Sequence, residues 1–307
     1  MSPKKQIQFL LQLKIDQHHG QITPEVLNRF TNEVMLSINQ TTRSEAEGLT
    51  PEQLHCLLHF LFTERSVVKL NALIQDESAL KSPLLNLCIG FLEIIQRETF
   101  IKLTKTDALP VKIVTELYEK GYIVEMILTS TTKVRTEKDS VSIQLVKIIS
   151  QLAGLTKKRE GKLSLTAKGI SLINSPAKLL ILFTETYFLK FNWGYFDYYK
   201  SKQVAQFGAG FTLVLLNKYG IEENKASFYA EKFSEAFPMI IDELEAHPYG
   251  TVANQYNHCY VWRSFQRGMN WLGLVETRET GKRIDGTDQL WLKTTPLFDE
   301  LVNVNVK

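Results

Sequence analysis

From Ala153 to Gly169 the sequence runs AGLTKKREGKLSLTAKG, the most informative segment of the chain for its architecture. Apolar and polar residues alternate through LTKKR and KLSLT on either side of a charged turn containing Gly161, which is the pattern of a two-stranded hairpin. Before it, Val141 to Ala153 has helical periodicity and stops at Gly154. After it, Ala167 begins another helical run, so a helix, a glycine stop, a hairpin and a helix follow in order.

Working outward, the same order returns near the C-terminus. A helix near Tyr256 to Leu272 stops at Gly273, and LVETRETG and LWLKT flank the polar loop KRIDGTD before a final short helix. Laid side by side, Ala153-Gly154-Leu155 matches Leu272-Gly273-Leu274, and Arg159-Glu160 matches Arg278-Glu279. Leu163-x-Leu165-Thr166 is matched to Leu290-x-Leu292-Lys293. Ile101-x-Leu103-Thr104 is a fainter third echo. Such self-similarity points to duplicated units.

The first hundred residues read as helices. Thr23-Pro24, Thr50-Pro51 and Ser82-Pro83 place capping residues before prolines at the first helical position, and Thr50 with Gln53 fits a capping box. A helix from about Leu109 to Lys120, ended by Gly121, precedes the β-branched YIVEMILTSTTKV, which reads as a strand. The expected fold class is mainly α with small β-hairpins. Its expected parts are a helical region over 1–99, a first unit over 100–175, an aromatic-rich helical connector over 176–248 and a second unit over 249–307.

Helix, glycine stop, hairpin and the segment Leu165-Thr166-Ala167-Lys168-Gly169 together resemble the winged-helix superfamily, whose members often carry LTxxG where the chain leaves the wing. The resemblance covers about Leu109 to Ile173 and about Thr251 to Val302, with LKTTP in the place of LTxxG in the second copy. It implies tandem winged-helix-like units joined by helices, each with a three-helix core and a wing. The helix before the wing commonly enters a DNA groove in that superfamily, although many members bind protein instead.

Composition narrows the function classes. The 307 residues carry 36 Lys+Arg against 33 Asp+Glu, and a net charge of +3 gives no global field toward a polyanion or membrane. Three cysteines, Cys56, Cys88 and Cys259, form no disulfide framework, so a reducing, cytoplasmic setting is expected. The opening MSPKKQIQFLLQLKIDQ is broken by polar residues and does not read as a signal peptide. Phe207 to Leu216 is about half the length of a membrane-spanning helix, so no membrane partner is expected.

Local charge carries the functional reading. From Ala246 to Val275 no acid occurs in thirty residues, where 33 in 307 would give about three. Helical spacing puts Trp262, Phe265, Met269 and Leu272 on a buried face, and Arg263, Gln266, Arg267 and Asn270 on an exposed one. Arg, Gln and Asn match guanine and adenine edges in a major groove, so these four are candidate base readers; a solvated, acid-poor face is the plain alternative. Lys282 and Arg283 in the wing loop would anchor phosphates, and replacing Arg263 and Arg267 by alanine is expected to abolish binding without unfolding.

In the first copy, Val141, Ile143, Leu145, Val146, Ile148, Ile149 and Leu152 leave the helix before the hairpin nearly apolar, poor for groove reading. Arg97 to Ile170 nevertheless holds 14 basic and 8 acidic residues, and Lys157, Lys158 and Arg159 on the wing are candidate phosphate contacts or simply a solvated turn.

Between Tyr187 and Tyr199, YFLKFNWGYFDYY is aromatic at eight of thirteen positions, which reads as packing between helices or a surface for a protein partner or second copy. His55 with His59 lacks a third ligand, His258-Cys259 points to different helix faces, and Gly208-Ala209-Gly210 lacks the rest of a phosphate loop. No cofactor, metal or catalytic set is therefore expected. The expected function is non-enzymatic binding of double-stranded DNA of a regulatory type, with a protein-interaction scaffold as the alternative.

Overall fold

A computed structural model of the chain describes residues 3–125, 134–201, 203–245, 250–280 and 289–306. Helix α1 (Pro3–Asp16) packs along α2 (Pro24–Gln40), tied by Lys14 Nζ to Glu33 at 2.5 Å. The Thr-Pro and Ser-Pro signals each start a helix. Thr23 caps α2, and Thr50 with Gln53 forms a reciprocal box on α3 (Pro51–His59) at 3.2 and 2.9 Å. Strand β1 (Val68–Leu70) and helix α4 (Asp76–Ala79) lead to Ser82, which caps α5 (Pro83–Glu98).

After α5 come β2 (Ile101–Lys102), α6 (Val111–Glu119), α7 (Val141–Leu152), β3 (Thr156–Arg159), β4 (Lys162–Leu165) and α8 (Ala167–Leu172). The hairpin turns on Glu160 and Gly161, both at positive φ (51° and 69°), the two-residue geometry that matches the twist of antiparallel strands. The sheet order is β2-β4-β3, with Ile101 opposite Leu163.

Helix α9 (Pro176–Leu189) lies against α5 and α7. Then the sequence of elements recurs: α10 (Ala209–Tyr219), β5 (Asn224–Lys225), α11 (Ala226–Ala236), α12 (Val252–Val261) with a π-helical continuation over Trp262–Met269, α13 (Asn270–Leu272), β6 (Val275–Glu279), β7 (Leu290–Thr294) and α14 (Pro296–Leu301). This second sheet has the matching order β5-β7-β6. Strand β8 (Val302–Val304) closes on β1, with Val68 opposite Val304.

The two glycine stops have the same geometry. Gly154 and Gly273 sit at φ +73° and +78°, where glycine is favoured, and the amides of Leu155 and Leu274 reach back to Ser150 O and Met269 O, both at 2.8 Å. Thr166 and Thr295 donate to the Gly154 and Gly273 carbonyls at 2.7 and 2.6 Å and cap the helices that follow. These equivalences correct the second half of the sequence alignment. Strand pairing places Leu163 opposite Ile101 and Leu292 opposite Asn224, so Leu163 corresponds to Leu292, not Leu290, and Thr166 to Thr295.

One cluster of buried apolar residues runs from Ala46 to Val302, so the expected segment boundaries cut through packed structure. A boundary at residue 99 separates α5 from α7 and β4, which pack on it; one at 248 separates β5 from its partner β7. The strand expected from Tyr122 is absent over 122–125, where 122–123 bend and 124–125 are irregular; the rest of that stretch up to residue 133 lies outside the described residues. No helix among the described residues is long and apolar enough to cross a membrane.

Candidate nucleic-acid interface

The four proposed base readers on the second unit do not share an exposed face. Arg263 is 1% exposed, and its guanidinium is held by Asp197 at 2.7 and 2.9 Å, Ser201 O at 2.9 Å and Val204 O at 3.0 Å. Burial works against its charge, but Asp197 outweighs it and holds the pKa above the ordinary arginine value. Arg267 donates to Phe196 O at 2.9 Å and stacks on Trp262, with burial lowering its pKa. Both arginines therefore clasp the aromatic connector. Gln266 and Asn270 are half-buried, and Lys282 and Arg283 lie outside the described residues.

The correction has a local cause. An α-helix turns about 100° per residue, and the π-helical stretch over Trp262–Met269 inserts extra residues into that count, so the two ends of the segment rotate relative to one another. Extrapolating a 3.6-residue rhythm through it buries Trp262 and exposes Arg263, whereas Trp262 is half-buried and Arg263 buried. Gly268 fits here because a Cβ would lie 2.8 Å from both Tyr187 Oη and Arg263 O.

The connector's aromatic residues pack largely inward. Tyr187, Phe188 and Trp193 meet with centroids 5.1 to 5.7 Å apart, and Trp193 Nε1 donates to Tyr187 O at 2.9 Å. Tyr195 and Tyr198 are the exceptions, 62% and 104% exposed. Helix α7 is covered by α5, α6 and α9, and its Lys147 pairs with Glu137 where both side chains are 11% exposed. It presents no groove-reading face.

The basic hairpin of the first unit remains open. Alternation along β3 sends Lys157 and Arg159 to the outer face and Lys158 to the other, where it pairs with Asp107 at 2.8 Å. Lys158 is thus separated from the two residues it was grouped with. In register, Arg159 stands opposite Lys162, and Lys162 opposite Lys102, giving three cations in a row across the sheet. Lys157 stands opposite Ser164 in the next row. Cations directly opposite one another destabilise a sheet, by tenths of a kcal/mol to about 1 kcal/mol per pair. Arg159 has Glu160 3.5 Å away, but both side chains are at least 80% exposed and such a pair contributes little.

A shallow cleft of about 400 Å³ on this face is lined by Phe100, Lys157, Arg159, Glu160, Lys162 and Ser164. Lys162 Nζ lies 4.4 Å from the Phe100 ring centre. The ring is presented by Thr99, a β-branched residue at φ +65°, a conformation costing about 1–3 kcal/mol and found preferentially at functional positions. Lys102, Lys162 and Phe100 are not singled out by the sequence; of these only Lys162 lies in the alternating KLSL, and the three become one surface only when β2 is known to pair with β4.

The remaining sequence candidates divide between the core and the surface. Burial pushes the Cys259 thiol up to about 12, and the three cysteines are free and buried. His55 and His59 are exposed, with their rings 4.6 Å apart, and a Cβ on Gly210 would strike Leu61 at 2.7 Å where α10 crosses α3. Among protein families, residues 80–178 match the Y4jL N-terminal domain, an interval running from just before α5 into α9 and containing the whole β2-β4-β3 sheet. No curated protein and no solved structure matches the chain.

Proposed function

We propose that the protein is a non-enzymatic nucleic-acid-binding protein of regulatory type, which holds a phosphate backbone on the outer face of β2-β4-β3. The observation that carries this reading is the in-register row Lys102, Lys162 and Arg159, flanked by Lys157, with Glu160 the acid among the residues that line the cleft. Folding gains nothing from opposing cations, and an anion laid across them offsets their repulsion. In this reading residues 83–172 and 209–301 are two winged-helix units, supported by their common element order, sheet order and glycine-threonine geometry. A reducing, cytoplasmic setting agrees with three free cysteines.

The test is fluorescence anisotropy with labelled mixed-sequence oligonucleotides at two salt concentrations. Binding should weaken steeply with salt, and removing Lys157, Arg159 and Lys162 together should lower the log–log salt slope by about one per lost contact. Absence of binding to any nucleic acid at low salt would falsify this reading. A protein-interaction scaffold is the second reading, favoured by the exposed Tyr195 and Tyr198 on the connector, which would dock a partner protein or second copy.

A further inference from the structure

We infer that the occupant of the β2-β4-β3 face is a single-stranded nucleic acid rather than a duplex, an inference that rests on the nucleic-acid reading above. Duplex readers commonly insert a helix or a wing into a groove, and among the described residues neither α7 nor the hairpin is placed to do so. Helix α7 is buried beneath α5, α6 and α9. The hairpin ends in the two residues Glu160 and Gly161, too short to project far beyond the sheet.

What the face does offer is flat. Cations lie one strand apart across β3, β4 and β2, a spacing of about 4.8 Å, along which a flexible backbone can adjust its phosphates. Beside them Phe100 is 40% exposed and opens into the same cleft as Lys157, Arg159 and Ser164. An aromatic ring beside a cationic track is the arrangement on which unpaired bases stack while their phosphates are neutralised. In a duplex the base faces are covered by their neighbours, so Phe100 would have nothing to stack on. Lys162, already over the ring at 4.4 Å, is placed to meet the phosphate of a stacked nucleotide. Ser164, half-buried between Lys157 and the β2 edge, supplies a hydroxyl to the same cleft.

The experiment compares the full chain on a labelled single strand and on the duplex of the same mixed sequence, each at two salt concentrations. The single strand should bind about tenfold or more tightly than the duplex, as expected where stacking is available to one and not the other. Phe100→Ala should lose about tenfold on the single strand with its salt slope unchanged, and Phe100→Trp should restore the affinity, which separates stacking from misfolding. Lys157→Ala with Lys162→Ala should instead lower the slope on both ligands. Equal or tighter duplex binding, or an unchanged single-strand affinity in Phe100→Ala, overturns this inference and leaves the nucleic-acid reading standing. No binding of either ligand overturns both.

Discussion

Arg263 Nε lies 2.7 Å and Nη2 2.9 Å from the two carboxylate oxygens of Asp197, a bidentate pair whose side chains are 1% and 5% exposed. The same guanidinium donates to Ser201 O and Val204 O, so one side chain fastens the π-helical stretch of the second unit to the aromatic connector. It is a structural clasp where the residue spacing suggests a DNA reader, and it changes what substitution there should do.

Arg263→Ala should destabilise the protein by about 3–5 kcal/mol, because it strands a buried carboxylate. Urea unfolding of Arg263→Ala, Asp197→Ala and the double variant measures the coupling directly. The double variant should lose less than the sum of the singles; strict additivity would mean that the pair contributes no mutual stabilisation.

Gly268→Ala should be destabilising, by about 1–3 kcal/mol, since the new methyl meets Tyr187 Oη and Arg263 O at 2.8 Å. An ordinary exposed helical glycine would give the opposite sign, a gain of about 1 kcal/mol. Tyr187→Phe in the Gly268→Ala background should recover part of the loss in thermal unfolding.

Thr166→Ala and Thr295→Ala should each cost about 1–2 kcal/mol. Each hydroxyl caps a helix and donates to a glycine carbonyl, Gly154 at 2.7 Å and Gly273 at 2.6 Å. Similar losses in chemical denaturation would show that the two positions are energetic as well as geometric equivalents; an unaffected Thr295→Ala would break the correspondence.

Glu47 gives a pH dependence of defined sign. Burial pushes its carboxyl upward, but hydrogen bonds from Lys218, Tyr219 and Lys232 outweigh that and hold it below the ordinary value of 4.5. A depressed folded-state value means stability that is complete above the unfolded value and disappears as pH falls through the folded one. Glu47→Gln should therefore cost about 1–2 kcal/mol at pH 7, and the gap to wild type should close in acid, below about pH 4.5. A gap that stays constant from pH 7 to pH 3 would remove the ion pairs as its cause.

The amino-acid order alone settled the features made by neighbours in the chain. Thr23, Thr50 and Ser82 start helices, and Gly154 and Gly273 stop them, because each interaction closes within a few residues and depends on backbone geometry alone. The hairpin at Glu160-Gly161 was legible for the same reason, as were the mainly helical class and its small antiparallel sheets. Tertiary structure decided which charges face water. Arg263 is buried because its partner stands 66 residues earlier and because a π-helical insertion shifts the helical rhythm, neither of which a hydropathy period contains. Lys102, Arg159 and Lys162 become one surface only through the pairing of β2 with β4, and β1 finds β8 across most of the chain. Local backbone preferences are written residue by residue, whereas the cost of burying or exposing a charge is set by whatever the rest of the chain brings beside it.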